Sequence, residues 1–317
     1  MKIMKTLALT AFVVFSFTAC NDDEPTAGPS QSLLEIAEAD PALTTLVQAI
    51  AIVGAEESFE SNTSLTVLAP TNTAFNEYFL EYGFSGIDAI PVEQLRQLLY
   101  NHMLNGDFEA NELLPGYMKT YGKGAASSSN TLSLFIDRSE GIEFNGYSKL
   151  IAPDKRARNG RLHVVDRVIA LPTLAAHIKA HPEFTILAEI LGSHPNSDFA
   201  VAINDTNDST ITVFAPTDTA FGALLEKMNI DSINEVSDAD LEEILSYHVY
   251  AGTNYMVSNL SNSQNLTMSS GQNATYTSSG GGRKITDVNG RVANLLFTDI
   301  QSSNGIIHVV DKVMLPN

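Results

Sequence analysis

Tryptophan is absent from this 317-residue chain, and cysteine occurs once, as Cys20. A single thiol excludes any intramolecular disulfide, so stability has to come from burial. Without tryptophan, a broad sugar-stacking platform would have to rely on the ten tyrosines. Positive charge is scarce: 18 Lys plus Arg stand against 37 Asp plus Glu, a formal net of −19. Such a surface repels polyanions on average, and nucleic-acid binding, which needs a basic footprint to displace counterions, is not expected. Long apolar runs are missing as well. The one concentrated stretch, Leu7 to Phe17, falls short of the roughly 20 residues that cross a bilayer. Gly-x-Ser-x-Gly, a phosphate-binding glycine loop and His-Glu-x-x-His are all absent, so the chain reads as a non-enzyme that needs no cofactor.

The apolar stretch follows Lys2 and Lys5 and ends in Phe17-Thr18-Ala19-Cys20, the layout of a secretory leader. Small residues before a cysteine resemble the lipobox of bacterial lipoproteins, which implies cleavage after residue 19 and acylation of Cys20. Losing Lys2 and Lys5 with the leader leaves 16 basic against 37 acidic residues, a net of about −21. Residues 20–31 are acidic and rich in Pro and Gly, the composition of a tether. An acidic stretch after the acylated cysteine resembles a surface-export signal of some Gram-negative lineages. The expected location is therefore the outer membrane, as a lipoprotein facing the cell surface, with a periplasm-facing one as alternative. The lipid is the only membrane contact expected.

The rest of the chain says nearly the same thing twice. Leu65-Thr66-Val67-Leu68-Ala69-Pro70-Thr71-Asn72-Thr73-Ala74-Phe75 returns as Ile211-Thr212-Val213-Phe214-Ala215-Pro216-Thr217-Asp218-Thr219-Ala220-Phe221. Leu98 to Met103 is answered by Ile244 to Val249, and Asn159-Gly160-Arg161-Leu162-His163-Val164-Val165-Asp166 by Asn304-Gly305-Ile306-Ile307-His308-Val309-Val310-Asp311. Three blocks in one order at one spacing mark a duplicated domain, since solenoid repeats are only about 20 to 50 residues long. Domain 1 is assigned to 32–172 and domain 2 to 173–317, with Leu171-Pro172-Thr173 as the only linker, which predicts a semi-rigid pair.

Within a copy, apolar spacing predicts short helices over Leu33–Pro41 and Leu43–Ile52, matched by Leu174–His181 and Phe184–Leu191. A strand over Ser64–Leu68 precedes a helix that Thr71 caps, with Phe75 and Phe79 facing inward. Another helix spans Val92–Met103 and its counterpart Asp238–Val249. The second half of each copy carries short alternating runs separated by Asn-Gly, at Asn145-Gly146, Asn159-Gly160, Asn289-Gly290 and Asn304-Gly305, a hairpin signal. Ser127–Ser129 and Ser278–Gly282 read as flexible loops. Helices in front and hairpins behind give an α+β class.

The strand block with Ala-Pro-Thr-Asp and Ala-Phe, the central Tyr-His, and the final Asn-Gly with His-Val-Val-Asp together resemble the fasciclin (FAS1) domain. The resemblance implies two tandem wedge-shaped β-sandwich domains with helices packed at one side. It also implies a non-enzymatic adhesion or matrix-binding role, with an extracellular protein or polysaccharide as partner. In that family the Tyr-His block has been tied to receptor contact, which makes Tyr247, His248 and His102 candidate adhesion residues. Copy one departs from the pattern, with Asn101 at the tyrosine position and Tyr100 one place early.

Two other groups draw attention without the resemblance. Lys155, Arg156, Arg158 and Arg161, with Lys149 and Arg167 nearby, form the one positive island in copy one, a candidate contact for an acidic polysaccharide, a phosphate or an acidic protein. Glycan capture in the service of nutrient uptake is accordingly the alternative function. His177 and His181 lie one helical turn apart with His194 beyond, but no third ligand stands at a recognisable spacing, and no metal site is expected. Asn204 to Asp208 lacks the grammar of a calcium loop and reads as a solvated turn.

Overall fold

The computed structural model describes residues 29–206 and 210–317. Cys20 and the predicted leader lie outside them, as does part of the Asn204–Asp208 segment. Domain 1 opens with helices α1 (Leu33–Glu38), α2 (Thr44–Val53) and α3 (Glu56–Glu60), then strand β1 (Leu65–Pro70) and helices α4 (Asn72–Tyr82) and α5 (Val92–Asn101). Strands β2 (Met103–Asn105), β3 (Gly116–Gly124), β4 (Ser127–Asp137), β5 (Glu143–Phe144), β6 (Ser148–Ala157) and β7 (Gly160–Val165) follow. Domain 2 repeats the plan with α6 (Leu174–Ala180), α7 (Thr185–Ser193), α8 (Asp198–Asn204), β8 (Ile211–Pro216), α9 (Asp218–Met228) and α10 (Asp238–Ser246). Its sheet continues with β9 (Val249–Ala251), β10 (Gln264–Thr267), β11 (Asn273–Ser279), β12 (Gly282–Thr286), β13 (Val292–Gln301) and β14 (Gly305–Val310).

β1 and β8 are the keystones. β1 pairs in parallel with β7 (Val67 opposite Leu162) and antiparallel with β2 (Val67 opposite Met103), and β8 does the same with β14 and β9. All six residues of each strand are buried because both faces are covered. Successive side chains point to opposite faces, so Leu65, Val67 and Ala69 enter a core shared with the helices, and Leu68 enters a second core enclosed by the sheet with Leu104, Leu134, Ile136, Phe144 and Val165. In domain 2 Ile211, Val213 and Ala215 face the helices, and Phe214 joins Tyr247, Leu266, Tyr276 and Ile285 inside the sheet. The helices reach that core through caps at the predicted place: the Thr71 hydroxyl accepts from the Ala74 amide at 3.1 Å, and Thr217 from Ala220 at 3.2 Å.

The copies differ in closure. The long β3 of domain 1 reaches back to β2 (Leu104 opposite Thr120), and the seven strands form a closed barrel. β10 is only four residues long, and domain 2 remains an open sheet in the order β10-β11-β12-β13-β14-β8-β9. Ser127–Ser129 is the start of β4, so it is not the loop its composition predicted, and of Ser278–Gly282 only Gly280-Gly281 is a turn, Ser278–Ser279 ending β11 and Gly282 opening β12; cross-strand pairing overrides the serine content. The short helices α3 and α8 were not foreseen, because one or two turns leave too few residues to show a period.

The two domains are bonded to each other directly. The tip of the β3–β4 hairpin sits on the β13–β14 turn: the Ala126 amide donates to Ser303 O at 2.8 Å, and the Ser303 amide donates to Pro172 O at 2.7 Å. Lys119 Nζ donates to Asp299 O at 2.8 Å and to Ser133 Oγ at 2.9 Å, and Ser133 Oγ accepts from the Gln301 amide at 3.0 Å. A Cβ on Gly124 would overlap the Ser303 backbone, so the approach requires glycine there.

Candidate functional site

His102 and His248 sit at the ends of α5 and α10, where each C-terminal turn leaves carbonyls unpaired. His102 Nδ1 lies 2.8 Å from Leu98 O, and its Nε2 accepts from the Ile169 amide at 2.9 Å. His248 repeats this with Ile244 O at 2.8 Å and the Met314 amide at 2.9 Å. An amide can only donate, so Nε2 is bare and Nδ1 carries the proton in both rings. Burial pushes both imidazoles down to about 4, against the raising effect of the carbonyl at Nδ1. His163 and His308 are built alike inside β7 and β14. Their Nδ1 atoms accept from the Asp154 and Asp299 amides at 3.0 and 3.2 Å, and their Nε2 atoms face Phe108 O and Tyr255 O at 2.9 and 2.8 Å. These four neutral rings tie each sheet to the segments that cross it.

Tyr247 is equally committed. It is fully buried, donates from Oη to Asn273 O at 2.7 Å, and accepts there from the Val288 amide at 2.8 Å. Asn101, its counterpart, donates to Ile169 O and Ala170 O and accepts from the Thr120 hydroxyl; the passage of β3 against α5 takes the space of a tyrosine, since a Cβ at Gly122 would come 2.9 Å from the Asn101 backbone. The residues expected as adhesion contacts, Tyr247, His248 and His102, are therefore interior ties, with His102 and His248 at 1% exposure. A partner cannot touch them directly while the domain is closed.

The basic island is also rearranged by the fold. Lys155 pairs with Asp40, Arg158 with Glu35, and Lys149 with Glu143. Arg161 is 7% exposed and held by Asp107, Glu109 and Asp154 at 2.9, 3.1 and 3.7 Å. Arg156 is exposed and, among the described residues, has no ion pair. The first copy spends its extra cations on its own acids, so the island offers one cation without an ion pair among the described residues rather than four. Sequence spacing counts cations along the chain and misses the carboxylates that folding brings beside them.

His177 and His181 do not point at a common metal position. Their rings flank Tyr117 of β3, edge-on at 5.4 Å and stacked at 5.8 Å. Among the described residues no group of three or more His, Cys, Asp or Glu is placed to hold a metal ion. Burial pushes His177 down to about 3, against a raising effect of the nearby Gln301 backbone, which lies outside hydrogen-bond geometry. Its two ring nitrogens, Tyr117 Oη, Ser302 Oγ and Asn145 Nδ2 are buried without a partner, and all of these residues stand at the junction of the domains.

Beside that junction lies a cleft of about 270 Å³, walled by α4, the Asn145–Tyr147 turn and α6, with the 168–172 segment as its floor. Little in the sequence announced this region, because its lining is drawn from separate segments of the chain.

A fasciclin domain model matches the chain twice, over residues 41–172 and 182–316. The chain belongs to the fasciclin-domain family. The structure is similar to the FAS1 domain pair of the insect cell adhesion molecule Fasciclin I, with a TM-score of 0.52 at 20% identity, covering 87% of this chain and 97% of that one. In sequence it is 26% identical to Homo sapiens periostin over 82% of this chain and 29% of periostin. It is 28% identical to Sus scrofa transforming growth factor-beta-induced protein ig-h3 over 90% of this chain and 38% of that protein. The chain thus spans well under half the length of these relatives. The structural likeness shows the fold: an α+β pair of fasciclin domains, in which the Tyr-His block of domain 2 and the His-Val-Val-Asp block of both copies supply internal ties described above.

Proposed function

We propose that this fasciclin pair is a lipid-anchored, non-enzymatic adhesion or matrix-binding protein displayed on the cell surface. The observation that carries the reading is how the titratable groups are used. The four histidines repeated between the copies have both ring nitrogens engaged by backbone groups, which leaves none of them as a general base or nucleophile partner. What the molecule presents instead is a pair of domains fixed to one another, a suitable form for a contact surface. The similarity to a domain pair from an insect cell adhesion molecule supports the same reading. Acylation at Cys20 would place the pair at a membrane, with the acidic tether between lipid and fold.

The test is to express the full chain on cells that lack it. Attachment to matrix-coated surfaces or cell aggregation should increase, protease added to intact cells should remove the protein, and Cys20→Ala should abolish radiolabelled fatty-acid incorporation and release the chain from the membrane. Unchanged attachment and aggregation with the protein demonstrably at the surface would refute the adhesive role. Glycan capture through the basic island has lost its main support, because most of those cations are already paired.

A further inference from the structure

We infer that the cleft between the domains is a binding site for a neutral sugar unit, a reading that rests on the chain being a surface-binding protein and names what it holds. The cleft's volume, about 270 Å³, falls just below the roughly 300 to 1,000 Å³ of small-ligand sites, and suits a single pyranose better than a long chain. Its wall carries the groups that such a ligand uses. Tyr82 stacks by one face on Tyr78 at 4.4 Å and is 48% exposed, so its other face is open to the C–H face of a sugar ring. Glu77 and Glu81 line the same wall and accept hydroxyl protons.

Donors line the cleft as well. Arg167 lines the cleft with its guanidinium half exposed and 3.9 Å from Glu77. Tyr147 Oη accepts from the Ala170 amide at 2.7 Å, which leaves its own proton for an acceptor in the cleft. Asn145 is 4% exposed; its Oδ1 accepts from the Phe135 amide at 2.9 Å, while its Nδ2 has no partner. A buried amide nitrogen left this way is unfavourable unless a local shift brings something polar to it. The turn that places it is fixed, with Asn145 and Gly146 both at positive φ (51° and 76°) and Gly146 seated 3.2 Å, by its would-be Cβ, from Ala180 of the second domain.

The mixture decides the ligand class. An organic cation would use the tyrosine faces and the carboxylates, but the Arg167 charge and the N–H and O–H donors would oppose it. An anion would meet two carboxylates against one guanidinium, in a chain of net charge −19. A polyhydroxylated ring uses donors, acceptors and an aromatic face together. Because α6 of domain 2 supplies part of the wall, the site exists only while the domains are docked.

The test uses the full-length protein in detergent micelles and a fixed panel of glucose, galactose, mannose, N-acetylglucosamine and N-acetylgalactosamine with their methyl glycosides. Saturation-transfer NMR and titration calorimetry read the binding. At least one panel member should bind, and Tyr82→Ala and Glu81→Gln should each weaken it about tenfold or more while circular dichroism is unchanged; Arg156→Ala should have no effect. Absence of binding by every panel member, binding indifferent to both cleft variants, or equal competition by tetramethylammonium or a sulfated heparin fragment would overturn the assignment. Attachment of cells in the absence of any sugar binding would overturn this site alone and leave the adhesive reading standing.

Discussion

Replacing Asn304 by alanine gives the sharpest test of how the second domain is held together. Its side chain is 3% exposed, accepts from the Leu174 amide at 2.9 Å, and donates to Ile203 O at 3.0 Å and Asp205 O at 2.8 Å. One residue thereby fastens the start of α6 and the end of α8 to the β13–β14 turn. The Leu174 amide belongs to the first turn of α6, where the Thr173 hydroxyl is already used by Ala176, so alanine leaves it buried and unpaired. That loss costs about 1–3 kcal/mol, and the carbonyl at Ile203 adds about 1 more. A total near 3 kcal/mol is a large share of the roughly 5–15 kcal/mol that holds a domain folded. It corresponds to a fall of about 6–12 °C in the melting temperature of a domain of this size. Differential scanning calorimetry should show domain 2 melting earlier. Asn304→Asp separates the parts: it keeps the acceptor for Leu174 but turns a carboxylate toward two carbonyls, so it should be at least as damaging as alanine. A shift under 2 °C for alanine, or rescue by aspartate, would refute the clasp.

Other expectations follow from the same geometry. His102 and His248 are held neutral with pKa values of about 4, below the unfolded value near 6.5. The stability they permit is therefore complete above pH 6.5 and drains as pH falls toward 4, because the unfolded chain takes up protons that the folded chain refuses. By pH 5 each accounts for about 2 kcal/mol, and the urea midpoint should drop steadily between pH 7 and pH 5; a flat profile would contradict the assignment of a bare Nε2. Gly124→Val should drive the β3–β4 tip off Ser303, raising the radius of gyration in small-angle scattering with the circular dichroism unaltered; an identical scattering curve would show that the tip does not hold the domains. Arg161→Met strands three partly exposed carboxylates and should cost domain 1 about 2 kcal/mol in chemical denaturation. A change below 0.5 kcal/mol would mean that the acids are satisfied by water.

The parts of the fold that were legible in the sequence are those repeated in it. Thr71 and Thr217 cap helices at the expected place, and Asn145-Gly146 is the left-handed hairpin turn that its residues predict. Asn159-Gly160 and Asn304-Gly305 carry the same letters for another reason. Neither asparagine is left-handed; each is a side-chain clasp, and a Cβ on Gly160 would overlap Leu65 O while one on Gly305 would come within 2.5 Å of Ile211 O. The dipeptide marks a turn in all these cases, but only the neighbouring parallel strand explains the glycine after the clasp, and that strand is some ninety residues away in the chain. Local patterns likewise could not show that Arg161 would meet Asp107 and Glu109, or that Lys155 would meet Asp40.

The same distinction bears on where binding can reside. Residues shared by the two copies, His102 and His248, the histidines of β7 and β14 and the asparagine clasps, are consumed by ties that each copy needs to close its own sheet. A residue engaged at every polar atom inside a core has nothing left to offer a partner, so the repeated blocks identify the fold and do not locate the contact. What differs between the copies is the long β3–β4 hairpin and the docking it makes on the β13–β14 turn, with the cleft lying beside that junction. That region also holds every buried polar atom without a partner found among the described residues: those of Tyr117, Asn145, His177 and Ser302. Unpaired polar groups are costly inside a domain and tolerable at a junction that water or a ligand can enter. Function in this pair is therefore to be sought in the junction that duplication created, where the two copies stop being alike.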